Sequence, residues 1–288
     1  MPLPPPVLEA CGQLLGSSAQ RAAPVSGGDI NEAYRLETAH GPVFLKLNRS
    51  PQALAMFEDE ARGLALLGTP GALAVPAVLG TGEAGGAAFL LLEHIQEGPR
   101  RTGFWRDFGS GLAQLHRTTQ AHFGLDHDNF IGSLPQRNRT HPDWPGFYAQ
   151  ERLWPQLGQA RSLGLLQQED EQMLSRLCTR LTELCPGEPP ALIHGDLWSG
   201  NFLAGSAGQP FLIDPSVGYA HREMDLAMSR LFGGFAPEFY RAYHEAYPLA
   251  PGLEERLEAY QLYYLLVHVN LFGQGYVPGV RRILRRYG

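Results

Sequence analysis

Two short apolar runs in the second half of the chain, at 191–194 and 210–213, each end on polar or charged residues in a region that otherwise reads as helix. The first leads through Leu192-Ile193-His194-Gly195 to Asp196, with Asn201 following; the second, Phe211-Leu212-Ile213, leads to Asp214. Apolar runs this short, bounded by turn residues, are strand signals. Helical patterns flank them at 104–119, 146–185, 222–247 and 252–272, with Leu112, Leu115, Leu177, Leu181 and Leu184 as core candidates. The second part of the chain must therefore be mainly helical around a small β insert, and that insert delivers two carboxylates.

The first part has a different pattern. Residues 7–20 read as a helix, 25–37 and 42–48 as strands joined by His40-Gly41-Pro42, and 51–67 as a helix whose Leu54, Phe57, Ala61, Leu64 and Leu67 recur at helical spacing. An extended stretch at 75–79, a turn at 80–86 and a strong strand at 87–93 follow. The pattern breaks at Gln96-Glu97-Gly98-Pro99. These readings predict an α+β chain of two lobes, 1–95 and 96–288, the first a small antiparallel sheet with one helix. A length of 288 residues accommodates both.

Lysine occurs once, at Lys46; the remaining basic residues are arginine. A base-composition bias explains the arginines but not the survivor, and a site that needs a compact, flexible ammonium does. The formal net charge of −6 argues against broad binding to nucleic-acid backbones. No apolar run reaches the ~18 residues of a membrane span, and the N-terminus lacks the pattern of a signal peptide. Cys11, Cys178 and Cys185 include no Cys-x-x-Cys, so neither a disulfide framework nor a zinc site is expected. A cytoplasmic location is the expectation.

Asp196 and Asn201 have the Asp-x-x-x-x-Asn spacing of a kinase catalytic loop, and Asp214 stands where a metal-binding Asp follows it. The chemistry requires these types. A carboxylate accepts the proton of an attacking hydroxyl, while an amide oxygen and a second carboxylate hold Mg²⁺ against ATP phosphates. Lys46 suits the α/β-phosphates, with Glu60 on the next helix as its partner and Glu58 as the competitor. Gly27, Gly28 and Asn31 precede the strand, where backbone N–H groups could approach phosphate. Glu93 and Ile95 are expected to offer backbone groups to adenine. No Gly-x-x-x-x-Gly-Lys-Ser/Thr occurs, which excludes the P-loop class.

The differences from protein kinases are equally informative. Gly195 stands where regulated kinases carry Arg, and Asp214 is followed by Pro215-Ser216 rather than Phe-Gly. Ala236-Pro237-Glu238 mimics a kinase signature by coincidence. The interval from Asp214 to the helix near Arg222 is too short for a protein-substrate platform, so a small-molecule acceptor is expected.

The chain resembles the fructosamine kinases (ketosamine-3-kinases), a branch of the aminoglycoside phosphotransferase-like kinases, over nearly its whole length. The resemblance rests on Phe44-Leu45-Lys46-Leu47-Asn48, Met56-Phe57-Glu58-Asp59-Glu60-Ala61, His194 to Asn201 and Asp214-Pro215-Ser216. Its most specific stretch is Tyr219-Ala220-His221-Arg222-Glu223-Met224-Asp225-Leu226-Ala227-Met228. It implies a bilobal protein-kinase-like fold, ATP and Mg²⁺ as cofactors, and transfer of phosphate to the 3-hydroxyl of a ketoamine in protein deglycation. Some members carry Cys in the Gly-rich loop; Asp29 stands there in this chain.

Trp198 is placed to face a sugar acceptor, the competing role being a core brace for the loop. Asp225 is expected to bond the catalytic-loop backbone, His194 to be structural, and His268 and Asn270 are candidates for the acceptor pocket. A kinase for another small hydroxyl acceptor, such as an aminoglycoside or choline, is the competing enzyme. Its polycationic version would need an acidic pocket, whereas Glu169-Asp170-Glu171 and Glu254-Glu255 read as solvated helix faces. A pseudokinase scaffold would be expected to lack Lys46, Asp196 or Asp214.

Overall fold

The computed structural model describes residues 3–25 and 30–288; Gly27, Gly28 and Asp29 lie outside the described residues. The chain separates into two compact units, Met1–Phe104 with Asn201–Pro215, and Trp105–Gly200 with Ser216–Gly288. The first unit thus extends past 95 and takes in a segment from the second half of the sequence.

The first unit contains α1 (Pro5–Leu15), β1 (Ala19–Val25), β2 (Glu32–Thr38), β3 (Gly41–Asn48), α2 (Ala53–Gly68), β4 (Val78–Ala84) and β5 (Ala87–Glu93). The strands form one antiparallel sheet in the order β1-β2-β3-β5-β4. Two expectations are corrected here. The first helix stops at Leu15 because Gly16 takes a left-handed conformation, φ 62°, and the following residues form an additional edge strand. The expected turn at 80–86 is confined to Gly85-Gly86, because β4 runs on to Ala84 with Gly82 lying over the Phe89 ring.

Strand parity explains the position of the single lysine. Side chains alternate between sheet faces. Val43, Leu45 and Leu47 of β3 pack with Phe89 and Leu91 of β5 and with Val7 and Cys11 of α1. Phe44 points the other way, where Ala53, Phe57 and Leu64 of α2 cover Ala88, Leu90 and Leu92. Lys46 shares the parity of Phe44, so it emerges beneath α2. The returning segment forms a ribbon, Phe202–Ala204 with Pro210–Leu212. Backbone bonds tie it to the first unit: Leu212 N to Ala74 O at 2.9 Å and Gly98 N to Ala204 O at 3.0 Å.

The second unit is built on α3 (Phe104–Leu115), α4 (Trp144–Phe147), α5 (Trp154–Ser162), α6 (Gln168–Leu184), α7 (Glu223–Leu231), α8 (Pro237–Ala246), α9 (Leu253–Phe272) and α10 (Val277–Tyr287). The continuous helix expected over 146–185 is broken by a π-helical turn, Tyr148–Leu153, and by the 163–167 connection. That expected over 222–247 is broken at 232–236, and Ala236-Pro237-Glu238 is the start of α8, with Pro237 in its first turn. Helix α9 is buried on nearly every side, with Tyr260, Leu262, Tyr263, Tyr264 and Leu266 all at 2% exposure or less. Ala191–Ile193 pairs antiparallel with Gly218–Ala220, and Asn129–Ile131 with Leu134–Gln136. Among the described residues, no helix is long and apolar enough to cross a membrane.

Candidate active site

The predicted polar residues fall into two clusters, one in each unit. In the first, the Lys46 ammonium is 2.6 Å from Glu60 Oε1 and is also ion-paired with Asp214. Glu60 shares a helix face with Phe57 and Leu64, three positions after one and four before the other, which turns its carboxylate toward the sheet. Glu58 is exposed, so Glu60 is the partner. Burial works against the Lys46 charge, but Asp214 and Glu60 more than offset it and raise the ammonium's pKa above its ordinary value. Glu60 is pushed up, by burial first, against the pull of Lys46 and with a contribution from the Asp214 charge.

Asp214 follows the Pro210–Leu212 strand and, among the described residues, is the one non-glycine with positive φ, at 54°. That sparsely populated conformation, in a side chain that remains 41% exposed, marks a residue held for a purpose other than packing. Asn201 is 5% exposed; its Nδ2 lies 3.4 Å from the Asp214 carbonyl, and its own carbonyl accepts from Ile213 N at 3.1 Å. The Asn201 side chain is thus held to the Asp214 backbone, while the Asp214 carboxylate pairs with Lys46; an amide oxygen and a carboxylate are hard donors, and Mg²⁺ commonly binds one or two protein oxygens with phosphates and water completing its shell. The pair fits such an ion.

The other predicted nucleotide residues are more dispersed. Asn31 is anchored to the end of β3, where Asn48 Nδ2 donates to its Oδ1 at 2.8 Å. The Glu93 amide is committed to Ala77 O at 2.8 Å, and its carboxylate accepts from Ala77 N at 3.1 Å. Ile95 lies just beyond the strand, and Gly27 and Gly28 lie outside the described residues.

In the second unit, Asp196 follows the Ala191–Ile193 strand and is partly exposed, while His194 and Gly195 are buried. The loop is held from behind. Asp225, fully buried on α7, accepts from His194 N and Gly195 N, both at 2.8 Å, and from His116 Nε2 at 3.1 Å. Burial would raise the Asp225 pKa, but the His116 bond, neighbouring positive charge and the Gly195 amide bring it below its ordinary value. His116 Nδ1 bonds Tyr243 Oη at 2.7 Å. His194 Nδ1 accepts the Asp196 amide at 3.2 Å, which gives His194 a bracing role. Gly195 has φ 84°, and a Cβ there would overlap the Ser216 carbonyl, so no side chain fits where regulated kinases place Arg.

Trp198 is 37% exposed, with its ring packed over Gly200 of the same loop. Asn270 is committed elsewhere, donating to Gln156 O and Oε1 at 2.9 and 2.7 Å. The stretch from Tyr219 to Met228 is largely structural. Arg222 forks onto Glu188, and Glu223 pairs with Arg256 at 2.7 Å. Asp170, read above as solvated, is buried and paired with Arg281 at 3.0 Å, whereas the Glu254 carboxylate is exposed. His116 and Tyr243 were not singled out in the sequence; the only available signal is their place on helical core faces.

Comparison with known proteins places the chain in a family. Residues 9–287 match the family model for fructosamine kinase. The chain is 44% identical to a probable ketoamine kinase of Lactiplantibacillus plantarum over 96% of its own length and 97% of that protein's. It is 38% identical to the chloroplastic protein-ribulosamine 3-kinase of Arabidopsis thaliana, over 91% of this chain and 81% of that one. A crystal structure from Thermobifida fusca, assigned to the fructosamine-3-kinases, superposes with a TM-score of 0.88 at 35% identity, covering 98% of each chain. An aminoglycoside phosphotransferase shares the fold at a TM-score of 0.62 and 17% identity. The chain belongs to the fructosamine kinase family.

Proposed function

We propose that the chain transfers the γ-phosphoryl group of ATP to the 3-hydroxyl of a ketoamine, a sugar ketose joined to an amine, as a step in removing glycation from amines. The observation that carries this reading is the Lys46–Glu60–Asp214 cluster with Asn201 beside it, in a member of the fructosamine kinase family. The names of the Lactiplantibacillus plantarum and Arabidopsis relatives support a ketoamine and a ribulosamine acceptor.

In this mechanism Lys46 steadies the α/β-phosphates and Glu60 orients Lys46. Asn201 and Asp214 would hold Mg²⁺, which would supply positive charge against the phosphates. Asp196 orients the acceptor hydroxyl and takes its proton as the new P–O bond forms and the bond to the ADP oxygen breaks. The loop holding Asp196 is rigid because Asp225 fixes two of its amides, so little reorganisation is needed during transfer. The exposed Trp198 indole packs on the C–H face of the sugar. Asn31 and the backbone at Glu93 and Ile95 complete the nucleotide site, together with Gly27 and Gly28.

Incubation with ATP, Mg²⁺ and a panel of ribulosyl- and fructosyl-amines tests the reading. Phosphorus NMR should show the new ester coupled to the proton on C3. Coupling to any other proton, or activity on aminoglycosides with none on ketoamines, removes the assignment and leaves the kinase fold standing.

A further inference from the structure

The second unit leaves large aromatic side chains outside its core. Phe232 is 41% exposed and Phe272 is 49% exposed. A single exposed aromatic requires no explanation, but these two share a cluster. The His268 ring centre lies 4.8 Å from that of Phe232, 5.4 Å from Phe272 and 5.0 Å from Tyr276.

The backbone beneath the cluster favours positive charge. Phe232 caps the C-terminus of α7, and Phe272 is the last residue of α9. Each helix C-terminus carries roughly half a negative charge and attracts cations; the last turn of α9 has no basic residue, whereas that of α7 contains Arg230, which is paired with Glu254. None of the four side chains is a lysine or arginine. His268 Nδ1 is 2.7 Å from the Tyr264 carbonyl, an obligate acceptor, so Nδ1 carries the proton and Nε2 is left as an acceptor. Burial lowers the His268 pKa, so the ring is neutral at pH 7 and does not repel a cation. The cluster also borders the catalytic loop. Gly234, two residues after Phe232, lies so close to Ser199 that a Cβ on it would stand 2.5 Å from the serine Cβ.

We propose that this aromatic cluster is the subsite for the amine-bearing arm of the acceptor, with the protonated secondary nitrogen held against Phe232, Phe272 and Tyr276. The proposal rests on the ketoamine reading above and adds how the enzyme recognises the amine. A ketoamine formed on lysine is a secondary alkylammonium on a methylene stem. The cation is attracted by aromatic faces, and the stem packs on the same rings. The nitrogen can donate to His268 Nε2, while the sugar lies against Trp198.

The test compares fructosyl-lysine, free and within a peptide, with the amine-free 1-deoxyketose of the same sugar. Phe232→Ala, Phe272→Ala and the double variant are assayed against both acceptor types, with thermal melting confirming that each folds. The double variant is expected to raise KM for fructosyl-lysine about ten-fold more than it raises KM for the amine-free sugar, acting on KM rather than kcat. Phe232→Leu with Phe272→Leu, which keeps apolar bulk without the ring, should show the same bias; Phe232→Trp with Phe272→Trp, which keeps an aromatic face, should abolish it. An equal rise for both acceptors, full rescue by leucine, or an unchanged fructosyl-lysine KM overturns the proposal. A bias seen with free and peptide-bound fructosyl-lysine alike assigns the subsite to the ammonium; one seen only with the peptide overturns the proposal, because the free acceptor carries the same nitrogen. Failure of the wild-type protein to phosphorylate any ketoamine is a different result and overturns the underlying reading.

Discussion

The Lys46 ammonium is ion-paired with the Asp214 carboxylate, 168 residues further along the chain, while also bonding Glu60 on the adjacent helix. One cation therefore joins the sheet, α2 and the segment that returns from the second half of the sequence. The two carboxylates leave a compact ammonium as the group that satisfies both, and this gives physical content to the survival of a single lysine among arginines.

Lys46→Arg is accordingly expected to cripple turnover although charge is retained. The planar guanidinium is larger and its donors diverge, so it cannot bond Glu60 and Asp214 from one point. Loss of a positioned charge on the transferring phosphates should lower kcat by ~100-fold or more. Steady-state kinetics at saturating ATP checks this, and a near-normal kcat removes the phosphate-clamp role.

Asp214→Asn should lower kcat and also raise the Mg²⁺ concentration needed for half-maximal activity by about ten-fold or more, because a hard cation loses an anionic oxygen ligand. Titration of activity with Mg²⁺ at fixed ATP separates the two effects. An unchanged metal requirement means that Asp214 serves Lys46 alone.

Asp225 supplies a pH signature. Its pKa is held below the ordinary carboxylate value, so its stabilising bonds are present above about pH 4 and are lost as pH falls through that value toward the depressed one. Asp225→Asn should therefore cost about 2–4 kcal/mol at pH 7, since it removes a buried anion bonded to two amides and His116. As pH falls below about 4 toward the depressed value, the wild-type carboxyl begins to lose its charge and the gap between the two proteins should narrow. Denaturant unfolding at pH 7 and near pH 3 measures both; a stability gap that does not change with pH contradicts the assignment.

The parts of the site that were legible in the sequence announce themselves locally. Lys46 is unique, Glu60 lies on the apolar face of its helix, and Asp196, Asn201 and Asp214 stand at fixed spacings beside short apolar runs. The parts that were not legible depend on distant pairing. His116 meets Asp225 across 109 residues and Tyr243 across 127, and neither carries a local pattern. The return of 201–215 to the first unit is secured by backbone groups such as Leu212 N and Ala74 O, which any side chain would permit. Three-residue strands such as Gly218–Ala220 are too short to show a period of two. Helix α10 is a different case: Val277, Val280, Ile283, Leu284 and Tyr287 are buried at helical spacing, a pattern present in the sequence but obscured by the arginines between them.

The last expectation concerns the acceptor hydroxyl. Asp196 is partly exposed on a loop whose amides are fixed by Asp225, and Trp198 stands two residues away with its ring open to solvent. Asp196→Asn preserves shape and loop geometry but removes the anionic proton acceptor. It should lower kcat by ~10²–10⁴ while ATP affinity changes little. Trp198→Ala removes apolar surface from the sugar without touching a phosphate ligand, so it should raise KM for the ketoamine more than KM for ATP. Nucleotide binding by calorimetry, alongside kinetics varied in each substrate, distinguishes the two residues. If Asp196→Asn weakens ATP binding as much as it slows turnover, Asp196 acts in holding the nucleotide; if Trp198→Ala affects both KM values equally, the indole does not face the sugar.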